Sequence, residues 1–421
     1  MKKVQIALVG ASIRVRAFVE SLLKNYHQTH EICGIMDIDP DKIRGLQASF
    51  GLDVPAFTDF DKMCDELKPD LLLITTVDVY HEKFIVKALD RKIGIISEKP
   101  LCINAEQCRS ILAAHARNPE IFAATSHNAR YDLPTQTLKK VLDAGVIGKV
   151  LSFNYQEALD MRHGLSYFRR WNSRRKYSNG LQLHKSCHHF DKIHYLLNTK
   201  AVELTATGSL SVYGSDAPHV FAGDRCHTCS HADKCPYNAH YADPEGENLS
   251  YVCFFKYRTN PDSYTPDHCI FSKEIDIEDD FTAAIKYENG TFGTYTLCAH
   301  ANYEGETIWL EGETGRLELM TRYFFKPIEQ DMHNMHCKQW KSLKLYRFGC
   351  NEPEDIPIPE ADPASGHGGA DDIIFEKFFG GVKDPQQPTL EDGIQAVLVG
   401  AAVVESMQTG KKIMVQEQLK G

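Results

Sequence analysis

The first third of the chain predicts an α/β fold built on a doubly wound parallel sheet. Three observations carry this. Short apolar runs recur between residues 4 and 101, helix-spaced segments separate them, and the first run ends in a glycine turn that opens a helical pattern. Strand, helix, strand at this spacing means βαβ units, and such units pair in parallel.

In chain order, VQIALV (Val4–Val9) is a buried-strand pattern. The following GASIRVRAFVESLL places Phe18, Leu22 and Leu23 on one helical face. EICGIMDIDP is a second strand, ending in Asp37 and Asp39. DLLLITT and IGIISEKP are two more, and residues 42–50 and 80–89 read as helices between strands. VLVGAAVVESM, residues 397–407, reads as a buried closing helix.

The turn after the first strand is Gly10-Ala11-Ser12-Ile13-Arg14-Val15. A dinucleotide fingerprint wants glycine at its second and third marked positions, where Ser12 and Val15 stand here. Ser12 still permits close backbone approach and adds a hydroxyl. Val15 loosens the helix–strand packing. Asp37 ends the second strand about where an acid meets an adenosine ribose hydroxyl. An Asp at a strand end serves equally well as a turn or cap residue.

The bulk numbers narrow the classes. A chain of 421 residues is long for one core, so two domains are expected. A net charge of −10 with interleaved signs argues against nucleic-acid and anionic-membrane partners. No apolar run is long enough to span a bilayer. MKKVQIALVG turns into a strand and a glycine turn rather than a signal peptide, so a mature cytoplasmic protein is expected. The 13 cysteines, an odd number mostly scattered singly, fit thiols better than a disulfide framework.

The run Ile95–Leu101, IISEKPL, ends a buried strand in an acid, an amine and a proline. It resembles the Glu-Lys-Pro strand end of the Gfo/Idh/MocA oxidoreductases. TTVDVYHEKFIVKAL, SHNARY (126–131), LDAGVIGKV and GETGRLEL (312–319) resemble further segments of that family, in the same order. The resemblance implies an N-terminal Rossmann domain (1–125). It implies an α+β substrate and oligomerisation domain (126–421) with an open, mainly antiparallel sheet, in a homo-dimer or homo-tetramer. It also implies hydride transfer between NAD or NADP and a carbinol of a sugar, glycoside or cyclitol.

Ligands of doubly wound folds lie beyond the carboxyl ends of the strands. Lys99 is therefore expected to face nicotinamide and substrate, with Pro100 fixing the turn after it. The residues expected at the cofactor are Gly10, Ser12, Ile13, Arg14, Asp37, Thr75, His81, Glu98, Lys99 and Asn128. Asp37 would repel a 2′-phosphate and so favours NAD, unless Arg14 or Arg16 offsets it. Tyr131 is expected at nicotinamide or substrate.

NGLQLHKSCHHFDKIHYLL, residues 179–197, has apolar positions at helical spacing. His184, His188 and Asp191 then fall at i, i+4 and i+7 on one helix face. By the resemblance, His188 matches the family's catalytic histidine and Asp191 the acid after it. His184 stands where the family often has Asp, and Lys185 follows it. Histidine suits the removal of a hydroxyl proton because it titrates near working pH. Histidines at i and i+4 are also a metal-ligand spacing, and a third reading is a polar helix face lined by satisfied histidines. Lys185, Arg169 and Trp171 are expected to meet substrate hydroxyls and ring faces. His367, among glycines in SGHGGADD, is a further substrate candidate.

A polar segment at about 214–275, absent from the simple family pattern, contains Cys226, Cys229 and Cys235. C-x2-C suits tetrahedral zinc. Cys269 is the expected fourth ligand, with Cys253, His227 or His231 behind it. A structural zinc would order a segment poor in apolar residues.

Two competing functions use the same residues. Transient oxidation with tightly held NAD acidifies a neighbouring C–H and supports net glycoside hydrolysis or epimerisation. A nucleotide-binding sensor with a decayed site is the non-enzymatic alternative, favoured by Ser12, Val15 and His184 and opposed by Lys99 with His188.

Overall fold

The computed structural model describes residues 2–216, 223–238, 256–260, 264–324, 338–360, 366–381 and 384–420, with side chains at 338, 366 and 367 excluded. The chain forms two compact units.

The first unit holds Met1–Asn128, Ala239–Pro266 and Ala364–Ile394. Two later segments thus join the expected 1–125 in this unit. Its strands are β1 (Val4–Val9), β2 (His30–Met36), β3 (Ala56–Phe57), β4 (Leu71–Ile74), β5 (Gly94–Ser97) and β6 (Ala123–Thr125). Their order is β3-β2-β1-β4-β5-β6, all parallel. β1 and β4 are almost wholly apolar because helices cover both faces of a parallel sheet, and Leu8, Leu72 and Leu73 are fully buried. Burying each such side chain contributes about 1.5–3 kcal/mol. The helix Pro40–Phe50 starts where the Asp39 carboxylate accepts from Asp41 N–H (3.0 Å) and ends at left-handed Gly51. Helix Ala370–Phe379 belongs here too, with Phe375 packed on Phe18 at 4.7 Å between ring centroids.

The second unit holds Ala129–Asn238, Asp267–Pro363 and Gln395–Gly421. Its strands are β7 (Val150–Asp160), β8 (Ala201–Ser209), β9 (Asp280–Tyr287), β10 (Phe292–Ala301), β11 (Gly305–Gly312), β12 (Gly315–Phe324), β13 (Lys338–Arg347), β14 (Glu354–Asp355) and β15 (Ile413–Met414). They form one nine-stranded sheet, β14-β13-β12-β11-β7-β10-β9-β8-β15. Only the β7–β10 pair is parallel, as the mainly antiparallel expectation requires. Period-two alternation sends Phe153, Tyr155, Tyr287 and Tyr295 to one buried face, against helix Cys187–Leu197. The other face carries exposed Phe292, Trp309 and Trp340.

Among the described residues, no helix is long and apolar enough to cross a membrane.

Candidate active site

In the first unit the site begins at Gly10, which closes β1 at φ +100°. A Cβ there would lie 2.9 Å from the main chain of Thr75 and Thr76, so only glycine fits. Gly10 N–H donates to Met36 O (2.8 Å), and its carbonyl accepts from Thr75 Oγ1 (2.7 Å). Thr75 thus braces the turn from the end of β4. Ser12 Oγ accepts from Val15 N–H at 3.3 Å, opening the short helix Val15–Ser21, and Ile13 O accepts from Arg16 N–H at 3.3 Å. Asp37 is half-buried; its two oxygens accept from Ala11 N–H (2.8 Å) and Asp39 N–H (2.9 Å). Each oxygen keeps a lone pair for a hydroxyl.

Glu98 and Lys99 divide two tasks at the end of β5. Glu98, 6 % exposed, accepts from Arg14 Nε (2.7 Å) and from the main-chain N–H of Lys99 (3.0 Å). Arg14 then forks onto Asp371 through Nη1 and Nη2, both at 2.8 Å. Asn128 Nδ2 donates to the same carboxylate at 2.8 Å. Burial opposes the Arg14 charge, but Glu98 and Asp371 outweigh it and raise the guanidinium pKa above its ordinary value. Arg14, Glu98 and Asn128 therefore come together, in an internal clamp that sets the Lys99 backbone. Asp371, absent from the sequence reading, completes it. His81 is buried, with Nδ1 2.8 Å from Pro100 O and Nε2 3.0 Å from Thr76 O; it ties the ends of β4 and β5 together.

This unit fits a dinucleotide. Strand order reverses between β1 and β4, and Gly10 and Thr75 stand at the carboxyl ends of those two strands. That switch point is where doubly wound sheets hold their ligands.

In the second unit the expected single helix over 179–197 is two, Leu181–His184 and Cys187–Leu197. Leu181 O accepts from both Lys185 N–H (3.1 Å) and Ser186 N–H (2.8 Å), and Ser186 Oγ is 2.8 Å from Tyr295 Oη. The register slips there, so His184, His188 and Asp191 do not share one continuous face. His184 packs edge-on against Tyr167 (5.5 Å) and Trp171 (5.3 Å). Asp191 is buried in a bidentate pair with Arg130, whose Nε lies 2.9 Å from Oδ2. His188 is half-buried in the first turn of the second helix.

Lys185 Nζ and His189 Nε2 each lie 3.4 Å from Glu157 Oε1. Burial alone would push Glu157 up, but His189 and Lys185 reverse that and hold it at about 2. Lys185 is raised above its ordinary value, because Glu157 and Tyr167 outweigh its burial. Burial lowers His189 despite Glu157. Beside them, Glu304 Oε1 meets His163 Nδ1 at 2.6 Å, and His163 Nε2 meets Tyr167 Oη at 2.7 Å. Burial pushes the Tyr167 phenol up to about 12. Glu157, His163, Tyr167, His189 and Glu304 were not among the expected site residues. Glu157 had a signal: it falls on the inward parity of β7, after Phe153 and Tyr155.

Of the other substrate candidates, Arg169 is buried and donates to Tyr237 O, and Tyr131 is 2 % exposed. His367 lies in the turn Gly366–Gly369, and its side chain is outside the described residues. The expected cysteine ligands are not drawn together. Among the described residues, the one set of three His, Cys, Asp or Glu donors within 4.8 Å of one another is Asp280, Cys298 and His300, not Cys226, Cys229, Cys235 and Cys269. Main-chain bonds hold this segment instead: Cys226 N–H to Asp267 O (2.9 Å) and Cys269 N–H to Asp224 O (3.0 Å). Asp267 takes His227 and Arg225 as partners. Cys253 lies outside the described residues.

Residues 4–126 match the family model described as the NAD-binding Rossmann fold of an oxidoreductase family, and residues 139–415 match that family's C-terminal alpha/beta domain. The chain belongs to the Gfo/Idh/MocA oxidoreductase family. This Gfo/Idh/MocA chain is 31 % identical to YteT of Bacillus subtilis (strain 168), an oxidoreductase by name, over 98 % of both chains. It is 25 % identical to an inositol 2-dehydrogenase of Ralstonia nicotianae, over 35 % of this chain and 43 % of that one. In fold it is similar to a levoglucosan dehydrogenase solved with NADH and L-sorbose (TM-score 0.67, 16 % identity, 99 % of both chains). It is likewise similar in fold to the WlbA dehydrogenase of Bordetella pertussis, solved with NADH and UDP-GlcNAcA (TM-score 0.65, 14 % identity, 98 % and 99 %).

Proposed function

We propose that this oxidoreductase is an NAD-dependent dehydrogenase of a carbinol in a polyhydroxylated substrate, a sugar, glycoside or cyclitol. The observation that carries the reading is Lys99, held at the carboxyl end of β5, one strand from the switch point, by the Glu98 carboxylate on its main-chain N–H. The inositol 2-dehydrogenase relatives support the substrate class. When bound, the nicotinamide supplies the hydride acceptor. Lys99 hydrogen-bonds the reacting oxygen. His188 takes the hydroxyl proton. His184 donates to a neighbouring hydroxyl, and Trp171 offers an aromatic face to the ring carbons. The test is nicotinamide reduction, followed by absorbance, across a panel of sugars, glycosides and cyclitols. Nucleotide binding without reduction by any of them favours the sensor, and turnover without net NADH favours redox-neutral hydrolysis or epimerisation. The exposed Phe292, Trp309 and Trp340 on one sheet face support self-association.

His188→Asn keeps much of the side-chain volume but removes the proton acceptor. The oxidative rate should fall about 10²–10⁴-fold and its pH profile should change, because the proton acceptor is gone. A wild-type pH profile in the variant would remove His188 from this role.

NAD should be preferred over NADP. Arg14 is committed to Glu98 and Asp371, and Arg16 stacks 4.9 Å over the Phe50 ring, so neither is placed to offset Asp37 against a 2′-phosphate. Asp37→Asn retains the shape and loses the charge. The NADP-to-NAD ratio of kcat/KM should then rise about tenfold, or about 1.4 kcal/mol. An unchanged ratio would place the selectivity elsewhere.

A further inference from the structure

On the outward face of the second unit's sheet, three potential metal donors converge in a place the dehydrogenase reading does not use. Asp280 opens β9, and Cys298 stands directly opposite it on β10. His300 follows two residues later on the same strand. The three donor atoms lie within 4.8 Å of one another, and His300 Nε2 is 2.5 Å from Asp280 Oδ2. All three side chains are half-exposed, so an ion can reach them from solvent.

The backbone explains the convergence. Between Cys298 and Ala301, β10 advances three residues while β7 advances two, from Ala158 to Asp160. Such a bulge re-aims side chains and is common beside functional sites. The neighbours on the same face are small: Ala158 lies opposite Cys298, and Ser209 opposite Asp280. Next door, the Asp279 carboxylate accepts from the main-chain N–H groups of Ser211, Val212 and Tyr213, which anchors the start of β9.

We propose that Asp280, Cys298 and His300 bind a zinc-class divalent cation. A thiolate, a carboxylate and a neutral imidazole balance a +2 charge, and this mixed soft and borderline set suits zinc. Zinc bonds of about 2.0–2.3 Å place tetrahedral ligands somewhat over 3 Å apart, so the donors shift by about an ångström or less. The fourth position faces water.

The test uses the full-length chain, stripped with chelator and titrated with Zn²⁺, and with Co²⁺ as a spectroscopic probe. One ion should bind per chain, and Co²⁺ should give a near-ultraviolet thiolate charge-transfer band. Cys298→Ser should abolish the band. His300→Gln, at the surface, should weaken zinc at least about tenfold with unchanged circular dichroism. Cys226→Ser should retain both properties. Absence of uptake by the wild type overturns the proposal. So does a band that survives Cys298→Ser, or zinc affinity untouched by His300→Gln. Loss of the ion in Cys226→Ser instead assigns the metal to the cysteine segment and also overturns it.

Discussion

Lys99→Ala should lower hydride transfer about 10²–10⁴-fold and leave dinucleotide affinity within about tenfold. The lost amine would polarise the reacting oxygen, and that contact strengthens as charge develops, so the effect falls on kcat rather than on binding. The variant should fold. Glu98 holds residue 99 through its main-chain N–H, a bond that alanine keeps, and the Arg14 guanidinium reaches Glu98 and Asp371 directly. Stopped-flow reduction of the nicotinamide, with fluorescence titration of the dinucleotide, measures both quantities. Turnover within threefold of wild type would remove Lys99 from the chemistry. A lost rate together with lost binding would make it a cofactor ligand instead.

The first unit's sheet was legible because parallel strands covered on both faces must be apolar throughout, and VQIALV, LLLI and IGIIS are. The return of Ala364–Ile394 to that unit was not. The apolar residues of helix Ala370–Phe379 say that it is buried; only the contact of Phe375 with Phe18 says against what. The helix break at Lys185–Ser186 was hidden for a related reason. Periodicity continues across it, and a tertiary bond from Ser186 to Tyr295 decides it.

In the site, position was more legible than partnership. The reading placed Arg14, Glu98, Asp37 and His81 near the carboxyl ends of the strands, where they are. Each also fastens backbone or a second charge within the unit, which the sequence does not reveal. A charged residue at a strand end looks the same in sequence whether its partner is a ligand or an Asp far along the chain, as Asp371 is from Arg14. The cysteine spacing is limited in the same way: C-x2-C sets a loop's length, while ligation needs further donors brought in by the fold, and here Asp267 draws His227 and Arg225 to itself.

Arg130→Met should destabilise the second unit by about 3–5 kcal/mol. The Arg130 and Asp191 side chains are 4 % and 1 % exposed, and the guanidinium meets the carboxylate through two nitrogens. It also lies 5.2 Å over the Tyr195 ring. Each charge alone would cost several kcal/mol to desolvate, so the pair adds little net stability but cannot be halved. Methionine fills the space and abandons the Asp191 carboxylate in a dry site. Arg130→Lys keeps the charge but loses the fork, so its loss should be smaller. Arg130→Met with Asp191→Leu removes both charges and should recover most of the single variant's loss. Urea unfolding followed by circular dichroism measures this; with two units, the loss should appear in one transition only. A loss below about 1 kcal/mol in Arg130→Met would mean that water reaches Asp191. The pair bears on function because Asp191 shares helix Cys187–Leu197 with His188. Arg130→Lys should therefore fold and still lower turnover, since it loosens the helix that carries the proposed base.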